Sequence, residues 1–493
     1  MTSLRGGDVK RRVILDKIDR VKQGDPLRVL DLFSGCGGIS LGFERAGFHV
    51  AGALDNDEAA SKTHAANFHR NSEFHAAHAR PKDITKTSPR NLLGSLGVAG
   101  SPPNSIDILV GGPPCQTYAR IGRSKLRDLE KDSHAYLKDP RGSLYLSYLD
   151  YVKKLKPLAI LIENVPDVLN YGGRNLSEEI CESLNACGYT AAYSLMNAVH
   201  YGVPEMRERM FLIAYAKELA LDKITFPSPT HYFELPHGYS TARRFALNGS
   251  ADKEKRFFVS VPKPRQQLKR AVTAHMALSG LPRITAHLEY ANQGKRSHRL
   301  IRYPQRRRQS EYESLMRNWP RFESKKGITD HWVRDLPRDY GIFEAMEPGD
   351  QYPEAKALAR RMFLQAVEEA KLAGYRVSEH SQIYHTLSCH ILPPYDAGKF
   401  PNKWRKMESD QPARTLMAHL GKDSYSHIHY DSSQARTISV REAARLQSFP
   451  DGFQFSGAMN AAFKQIGNAV PPLVSYALAK RMKRAIRQSC KNL

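Results

Sequence analysis

The chain has 493 residues, 41% of them hydrophobic, and carries 74 lysines and arginines against 50 aspartates and glutamates, a formal net charge of +24. That length predicts at least two domains, and the ordinary hydrophobic share excludes global disorder. No apolar run nears the ~18 residues that cross a bilayer, and no apolar stretch follows the basic N-terminus as it would in a secretory leader. Six cysteines without a CxxC pair fit a reducing compartment. A cytoplasmic protein with no membrane association is expected.

Taken in chain order, residues 1–26 read as a basic extension. From 27 to 222, short apolar runs at 28–33, 49–54, 106–110, 158–162 and 210–215 predict strands, and amphipathic stretches at 143–155 and 176–187 predict helices between them. This alternation implies an α/β, Rossmann-like domain with a mostly parallel sheet and helices on both faces. In such sheets ligands bind beyond the carboxyl ends of the strands. The pattern breaks near 226. Residues 223–435 are rich in Pro, His, Tyr and Arg, hold one long predicted helix at 354–373, and read as a smaller irregular domain. Periodicity returns in 436–460, with a helix at 440–447, and in 461–493, with a closing helix from 473 to about 487.

The charge is unevenly spread. Residues 241–320 carry 18 Lys and Arg against 5 Asp and Glu, and residues 480–493 add six cations with no acid. Such clustering favours a polyanion, because each cation set against a phosphate releases a counterion. A soluble basic protein with no nucleic-acid role is the plainer alternative.

Four strand ends carry chemistry. Asp31-Leu32-Phe33-Ser34-Gly35-Cys36-Gly37-Gly38 is a glycine turn from strand to helix, where a ligand can approach exposed backbone N–H groups. The turn needs glycine in any case, so alone it says little. Asp55 closes the next strand, where an acid suits ribose hydroxyls, although a strand-end Asp is also a common helix cap. The pair suggests a nucleoside cofactor, and the departure from GxGxxG argues against NAD. Gly111-Gly112-Pro113-Pro114-Cys115-Gln116 sets a cysteine on a rigid loop at the ligand edge. A free thiol is a good nucleophile, and equally a common structural residue. Glu163-Asn164 ends a wholly apolar strand, where a carboxylate is costly unless paired or used.

In their order and spacing these residues resemble the motifs of the DNA cytosine-5 methyltransferases. The set comprises residues 31–38, Asp55, Asp83-Ile84, the Pro-Pro-Cys-Gln loop, Glu163-Asn164-Val165, Arg207-Glu208-Arg209, residues 441–450 and residues 465–472. It covers about 27–222 and 411–485, and leaves 226–410 as the family's variable target-recognition region. The resemblance implies that the thiolate of Cys115 adds to C6 of a cytosine flipped from duplex DNA. Glu163 then serves N3 and the exocyclic amine, Arg209 contacts O2 with Arg207 in support, and Asn164 with Pro113-Pro114 holds the loop. S-adenosyl-L-methionine is the implied cofactor. Its methionine end is expected at Phe33, Gly35 and the Cys36, Gly37, Gly38 turn, and its ribose on Asp55. The adenine is expected near Asn56, Asp83 and Ile84, with Leu144, Asn468 and Val470 closing over it. Asp31, Ser34 and Pro113 complete the set, and no metal is implied.

Two positions depart from the family. Glu205 stands where a glutamine is usual, leaving a negative charge to be paired by Arg207 or Arg209. Thr117-Tyr118-Ala119 replaces a small residue followed by Phe-Ser after Cys115-Gln116. The basic segment fits a DNA face of mostly phosphate contacts, with a few arginines reading guanine. Histidines and Cys389 between 380 and 390 match no standard zinc spacing. The expected partner is a specific short duplex DNA sequence, with cognate restriction or defence proteins possible in a restriction–modification or phage-defence setting, and the enzyme is expected to act as a monomer. Two rivals are a tRNA cytosine-5 methyltransferase, which the long basic insertion disfavours, and a DNA-binding regulator with an incidental methyltransferase fold, which the intact Cys115 and Glu163 disfavour.

Overall fold

The computed structural model describes residues 6–114, 143–171, 174–248, 255–289, 300–305, 308–396, 403–422 and 424–493. The chain divides into two compact units, one made of Met1–Ala271 with Ala469–Leu493 and the other of Val272–Asn468.

The first unit is α/β, as the alternating pattern predicts. Its strands are β1 (Arg28–Leu32), β2 (His49–Leu54), β3 (Ile108–Gly111), β4 (Ala159–Asn164), β5 (Tyr189–Asn197), the two-residue β6 (Glu205–Met206) and β7 (Glu208–Ala216). Six of them form one sheet in the order β2-β1-β3-β4-β7-β5. The β2/β1, β1/β3 and β3/β4 pairs are parallel, and β7 runs antiparallel to both neighbours. Val29, Leu30, Ile108, Leu109, Val110, Ile160, Leu161 and Ile162 have no exposed surface, which explains why these strands read as unbroken apolar runs.

Strand β5 was not anticipated. Its sequence, YTAAYSLMN, has neither a long apolar run nor a polar alternation, yet it is buried almost throughout because it pairs with β7 along nine residues. Residues 1–26 contain a helix, Gly6–Lys22, with Ile14, Ile18 and Lys17 buried. The Lys17 ammonium donates to the carbonyls of Leu155 (2.9 Å), Lys156 (2.8 Å) and Ile106. Burial holds its pKa down at about 7.

Helix Pro472–Asn492, the last in sequence, belongs to this unit and packs on helix Gly38–Arg45, the first helix after β1. Ser475 Oγ donates to Gly38 O at 2.9 Å, and Lys483 Nζ donates to Ala46 O at 2.6 Å. A Cβ on Gly42 would lie 1.9 Å from Ser475 Oγ and 2.4 Å from Tyr476 N, so only glycine permits this contact.

The second unit is irregular and mostly helical. Helix Tyr352–Leu372 buries Tyr352, Ala355, Ala359, Phe363 and Val367, one face of a 3.6-residue repeat. A cluster around Phe343, Trp404 and Tyr425 forms its core, with the last two rings stacked 4.7 Å apart. Helix Val440–Leu446 is buried on all sides although it carries Arg441, Glu442 and Arg445. Each charge is matched: Arg436 grips Glu442 with two 2.7 Å bonds, and Arg445 grips Asp451 at 2.8 and 2.6 Å. Such charges are tolerable in a core only when paired and fully hydrogen-bonded.

Candidate active site at the carboxyl edge of the sheet

Strand register sets the site. Leu32 pairs with Leu54 and Gly111, and Gly111 with Ile162, so these four residues form one row across β2, β1, β3 and β4. Phe33, Asp55, Gly112 and Glu163 each follow that row by one residue. Four distant parts of the sequence therefore meet at one edge, where the parallel order reverses between β2-β1 and β3-β4.

The turn after β1 is shaped by unusual backbone. Phe33 (φ 57°), Gly35 (φ 53°) and Gly37 (φ 99°) all lie in the left-handed region. Phe33 adopts it without being glycine, a local cost often associated with functional sites. Gly35 N donates to Asp55 Oδ2 at 2.8 Å, and Asp57 N donates to Asp55 Oδ1 at 2.8 Å. Asp55 thus ties the first turn to the second strand end. Asp57, not Asp55, caps the Glu58–Phe68 helix, accepting from Ala60 N. Among the described residues nothing approaches within 4 Å of where a Cβ on Gly35 would stand. On the inner side, a Cβ on Gly38 would lie 2.2 Å from the Val470 carbonyl oxygen, and one on Gly37 would meet Phe68 and His64. Ser34 N donates to Leu54 O, and Cys36 is fully buried with its thiol pKa pushed up by burial.

Asn56 is exposed beside Asp55. Lys82 N donates to Asp55 O at 2.8 Å, which brings the 82–85 segment to the same strand end. There Asp83 Oδ1 accepts from Thr85 N and Oγ1, and Ile84 is buried. Leu144 is half-buried at the start of helix Ser143–Leu155 and Val470 is buried, both in the first unit. Asn468 is exposed at the end of helix Met459–Asn468 in the second unit.

Past β3, Pro113 is buried and its carbonyl accepts from Asn164 Nδ2 at 2.8 Å, while Asn164 Oδ1 accepts from Val165 N. Cys115, like Gln116 and Thr117-Tyr118-Ala119, lies outside the described residues. Glu163 pairs across the sheet with Phe211, which brings Arg209 into reach: Arg209 Nε stands 3.1 Å from Glu163 Oε1. Burial raises the Glu163 pKa, and the fields of Arg209 and Arg207 pull it down only in part. The carboxyl therefore keeps a proton to higher pH than a free glutamate. Arg207 is buried, with its pKa lowered to about 10 by burial, and its Nη1 lies 3.9 Å from Glu205 Oε1. The acid that replaces the usual glutamine is therefore faced by a cation two residues further along the chain.

Sequence reasoning missed two residues beneath the turn. Ser40 Oγ donates to Asp31 Oδ2 at 2.7 Å and lies 3.0 Å from His64 Nε2, and all three side chains are buried. Burial, with the Asp55 charge adding to it, raises the Asp31 pKa to about 7. Ser40 and His64 are lone polar residues on inward helical faces, and a lone residue of that kind carries no motif.

Comparisons with known proteins agree with this arrangement. The family described as C-5 cytosine-specific DNA methylase matches residues 27–484. A protein of Oceanobacillus iheyensis, provisionally named type II methyltransferase M.OihORF3336P, is 38% identical over 94% of this chain and 96% of its own length. Type II methyltransferase M.AgeI of Thalassovita gelatinovora is 30% identical over 93% of this chain and 100% of its own. Among solved structures, a DNA modification methyltransferase encoded within an E. coli prophage aligns with a TM-score of 0.57 at 22% identity, covering 94% of this chain and 99% of that one, a likeness of fold. With a family match over residues 27–484 and relatives aligned over nearly their whole length, the protein belongs to the C-5 cytosine-specific DNA methylases and is a DNA (cytosine-5)-methyltransferase.

Proposed function

We propose that the enzyme transfers a methyl group from S-adenosylmethionine to C5 of a cytosine flipped out of a specific short duplex sequence, through a covalent Cys115–C6 bond. The observation that carries this reading is the double tie at the sheet edge. Asn164 holds the Pro113 carbonyl two residues before Cys115, and Arg209 holds the neighbouring Glu163.

The residues around the first turn fit the cofactor. Among the described residues nothing crowds Gly35, Gly38 leaves no room for a side chain, and the Asp55 carboxylate stands at the strand end where a ribose diol is expected. Phe33, Ser34, Cys36, Gly37, Asn56, Asp83, Ile84, Leu144, Asn468 and Val470 are assigned to the same site, and Asp31 supports it from below. When bound, S-adenosylmethionine supplies an electrophilic methyl group.

Cytosine C5 is a poor nucleophile until C6 is attacked. The Cys115 thiolate forms the bond to C6, and the electron pair displaced from the C5–C6 double bond makes C5 enamine-like. Glu163, whose carboxyl holds a proton to higher pH than a free glutamate, gives its proton to N3 and neutralises the ring charge. Among the described residues its Oε2 has no partner, so one oxygen answers to Arg209 while the other is left for the base. Arg209 has its Nη1 on the Glu208 carbonyl and its Nε on Glu163, which leaves Nη2 for the cytosine O2. After methyl transfer, a solvent base takes the C5 proton, the C–H pair re-forms the C5–C6 double bond, the Cys115 thiolate leaves C6, and the N3 proton returns to Glu163, which restores the neutral aromatic ring.

Flipping the base costs a few kcal/mol, recovered from pocket contacts. Residues 223–435, with their excess of 13 positive charges between 241 and 320, supply the DNA-reading surface. The type II names of the relatives support a protective role in a restriction–modification system; the proposal adds a monomer acting on duplex DNA, with cognate restriction or defence proteins as partners. Base-resolution 5-methylcytosine sequencing of a methylation-deficient bacterial host tests this reading. Methylation at one recurring motif, absent with Cys115→Ala, is expected. Unmethylated DNA from cells rich in soluble enzyme would sink it.

A further inference from the structure

The opposite edge of the same sheet carries a feature that methyl transfer does not use. A recess of about 310 Å³ opens where β7 ends against helix Pro472–Asn492, lined by Tyr215, Lys223, Thr225, Arg481, Arg484 and Gln488 among others. Tyr215 pairs with Ala159, the first residue of β4, so the recess lies at the amino-terminal edge of the parallel strands. Six residues of strand separate Tyr215 from Arg209, or about 20 Å at ~3.3 Å per residue. The recess is therefore distinct from the site around Glu163.

Three cations converge there, and no aspartate or glutamate side chain lines the recess, although its lining also includes Leu493 with the terminal carboxylate. Arg481 is held in place by Thr225 Oγ1, which accepts from its Nε at 2.7 Å and also from its Nη2. That leaves the Nη1 edge of the guanidinium for a ligand. Among the described residues, Lys223 and Arg484 have no carboxylate partner, and both are exposed. The fourth group is the Tyr215 hydroxyl. Tyr215 is 2% exposed, and its buried oxygen has no hydrogen-bond partner among the described residues. A buried hydroxyl without a partner is costly, and a ligand acceptor would remove that cost.

We propose that this recess binds the phosphate group of a small phosphorylated ligand. A phosphate dianion answers three unpaired cations, its tetrahedral oxygens suit an arginine fork, and one oxygen can accept from the tyrosine. The volume sits at the lower end of small-molecule sites, ~300–1,000 Å³. A duplex backbone would meet the exposed lysine and arginine but not a hydroxyl at the bottom of a recess, which favours the small ligand over DNA.

Inorganic phosphate is the probe, titrated calorimetrically into the full-length enzyme at constant ionic strength. One saturable site per chain is expected. A Lys223→Ala/Arg484→Ala double variant should weaken it by about tenfold or more, and Tyr215→Phe by about threefold, changes well within calorimetric reach. Methylation of duplex DNA should keep its kcat in both. Absence of saturable binding, or equal binding by all three proteins, overturns the proposal. A double variant that loses affinity for long duplex while its phosphate titration is unchanged would assign these cations to the DNA backbone, and also overturns it. Melting in chloride buffer shows whether each variant folds; if the double variant does not, Tyr215→Phe decides alone.

Discussion

Glu163, half-buried, and Glu442, buried, are glutamates that each face an arginine, yet their pKa values move in opposite directions. Glu442 receives two 2.7 Å bonds from Arg436 and a third from Ser439 N, and these overcome burial and hold its pKa well below the usual range. Glu163 receives one contact of 3.1 Å, and burial wins. The difference separates a carboxylate finished for structure from one left unfinished for chemistry. A group that must exchange a proton with a substrate cannot have all its hydrogen bonds satisfied beforehand.

The widest expected separation comes from paired substitutions. Glu163→Gln should cut kcat by about 10²- to 10⁴-fold, the range for a lost general acid, with the midpoint of urea unfolding nearly unchanged. Glu442→Gln should do the reverse. It leaves Arg436 buried and half-paired, and should destabilise the chain by about 3–5 kcal/mol in urea titrations. Comparable stability losses in the two variants would break the comparison.

Acidity sharpens it further. The pKa values of Glu442 and Asp451 are both lowered, so the stability they add is present above their unfolded values, about 4.3 and 3.9. It is lost as pH falls through the lower folded values. Asp451→Asn should therefore flatten the acid limb of a stability–pH curve. Glu163 has the opposite sign: the advantage of its neutral form is complete below about pH 4.3 and is lost as pH rises through its raised folded value. At neutral pH, Glu163→Gln should thus be no less stable than the parent. Single-turnover rates should fall on the alkaline side of that raised value, and a Glu163→Gln protein that still shows the same limb would remove Glu163 as the acid.

The smallest expected effect is at the cofactor turn. Gly38→Ala places a methyl against the Val470 carbonyl, where backbone must move, at about 1–3 kcal/mol. The dissociation constant for S-adenosylmethionine, measured calorimetrically, should rise in step. An unchanged constant would detach this turn from cofactor binding.

The parallel strands were legible because burial on both faces writes itself as uninterrupted Val, Ile and Leu, and the strand-end residues were legible because they follow those runs directly. Strand β5 was not, since its place depends on pairing with β7 rather than on its own pattern. The Ser40–His64 layer was hidden for a related reason, because only the fold brings residues from two helices under Asp31. Arg441, Glu442 and Arg445 read as part of a motif by resemblance. That Glu442 is buried and paired with Arg436, and Arg445 with Asp451, follows from packing, which no local pattern encodes.

One architectural fact bears on how the enzyme is made. The helix that backs the cofactor turn, Pro472–Asn492, is separated from that turn by the whole second unit, roughly 200 residues. From Ala216, the end of β7, to Ser475 is 259 residues, so at ~5–20 residues per second of synthesis Gly38 waits about thirteen to fifty seconds after the first unit's strands are made before Ser475 exists to hold its carbonyl. The nascent sheet must spend that interval with the Gly38–Arg45 helix uncovered. Ribosomes that stall late would release chains with a nearly complete sheet and no backing for the turn, so quality control of this enzyme should weigh most heavily on its final segment.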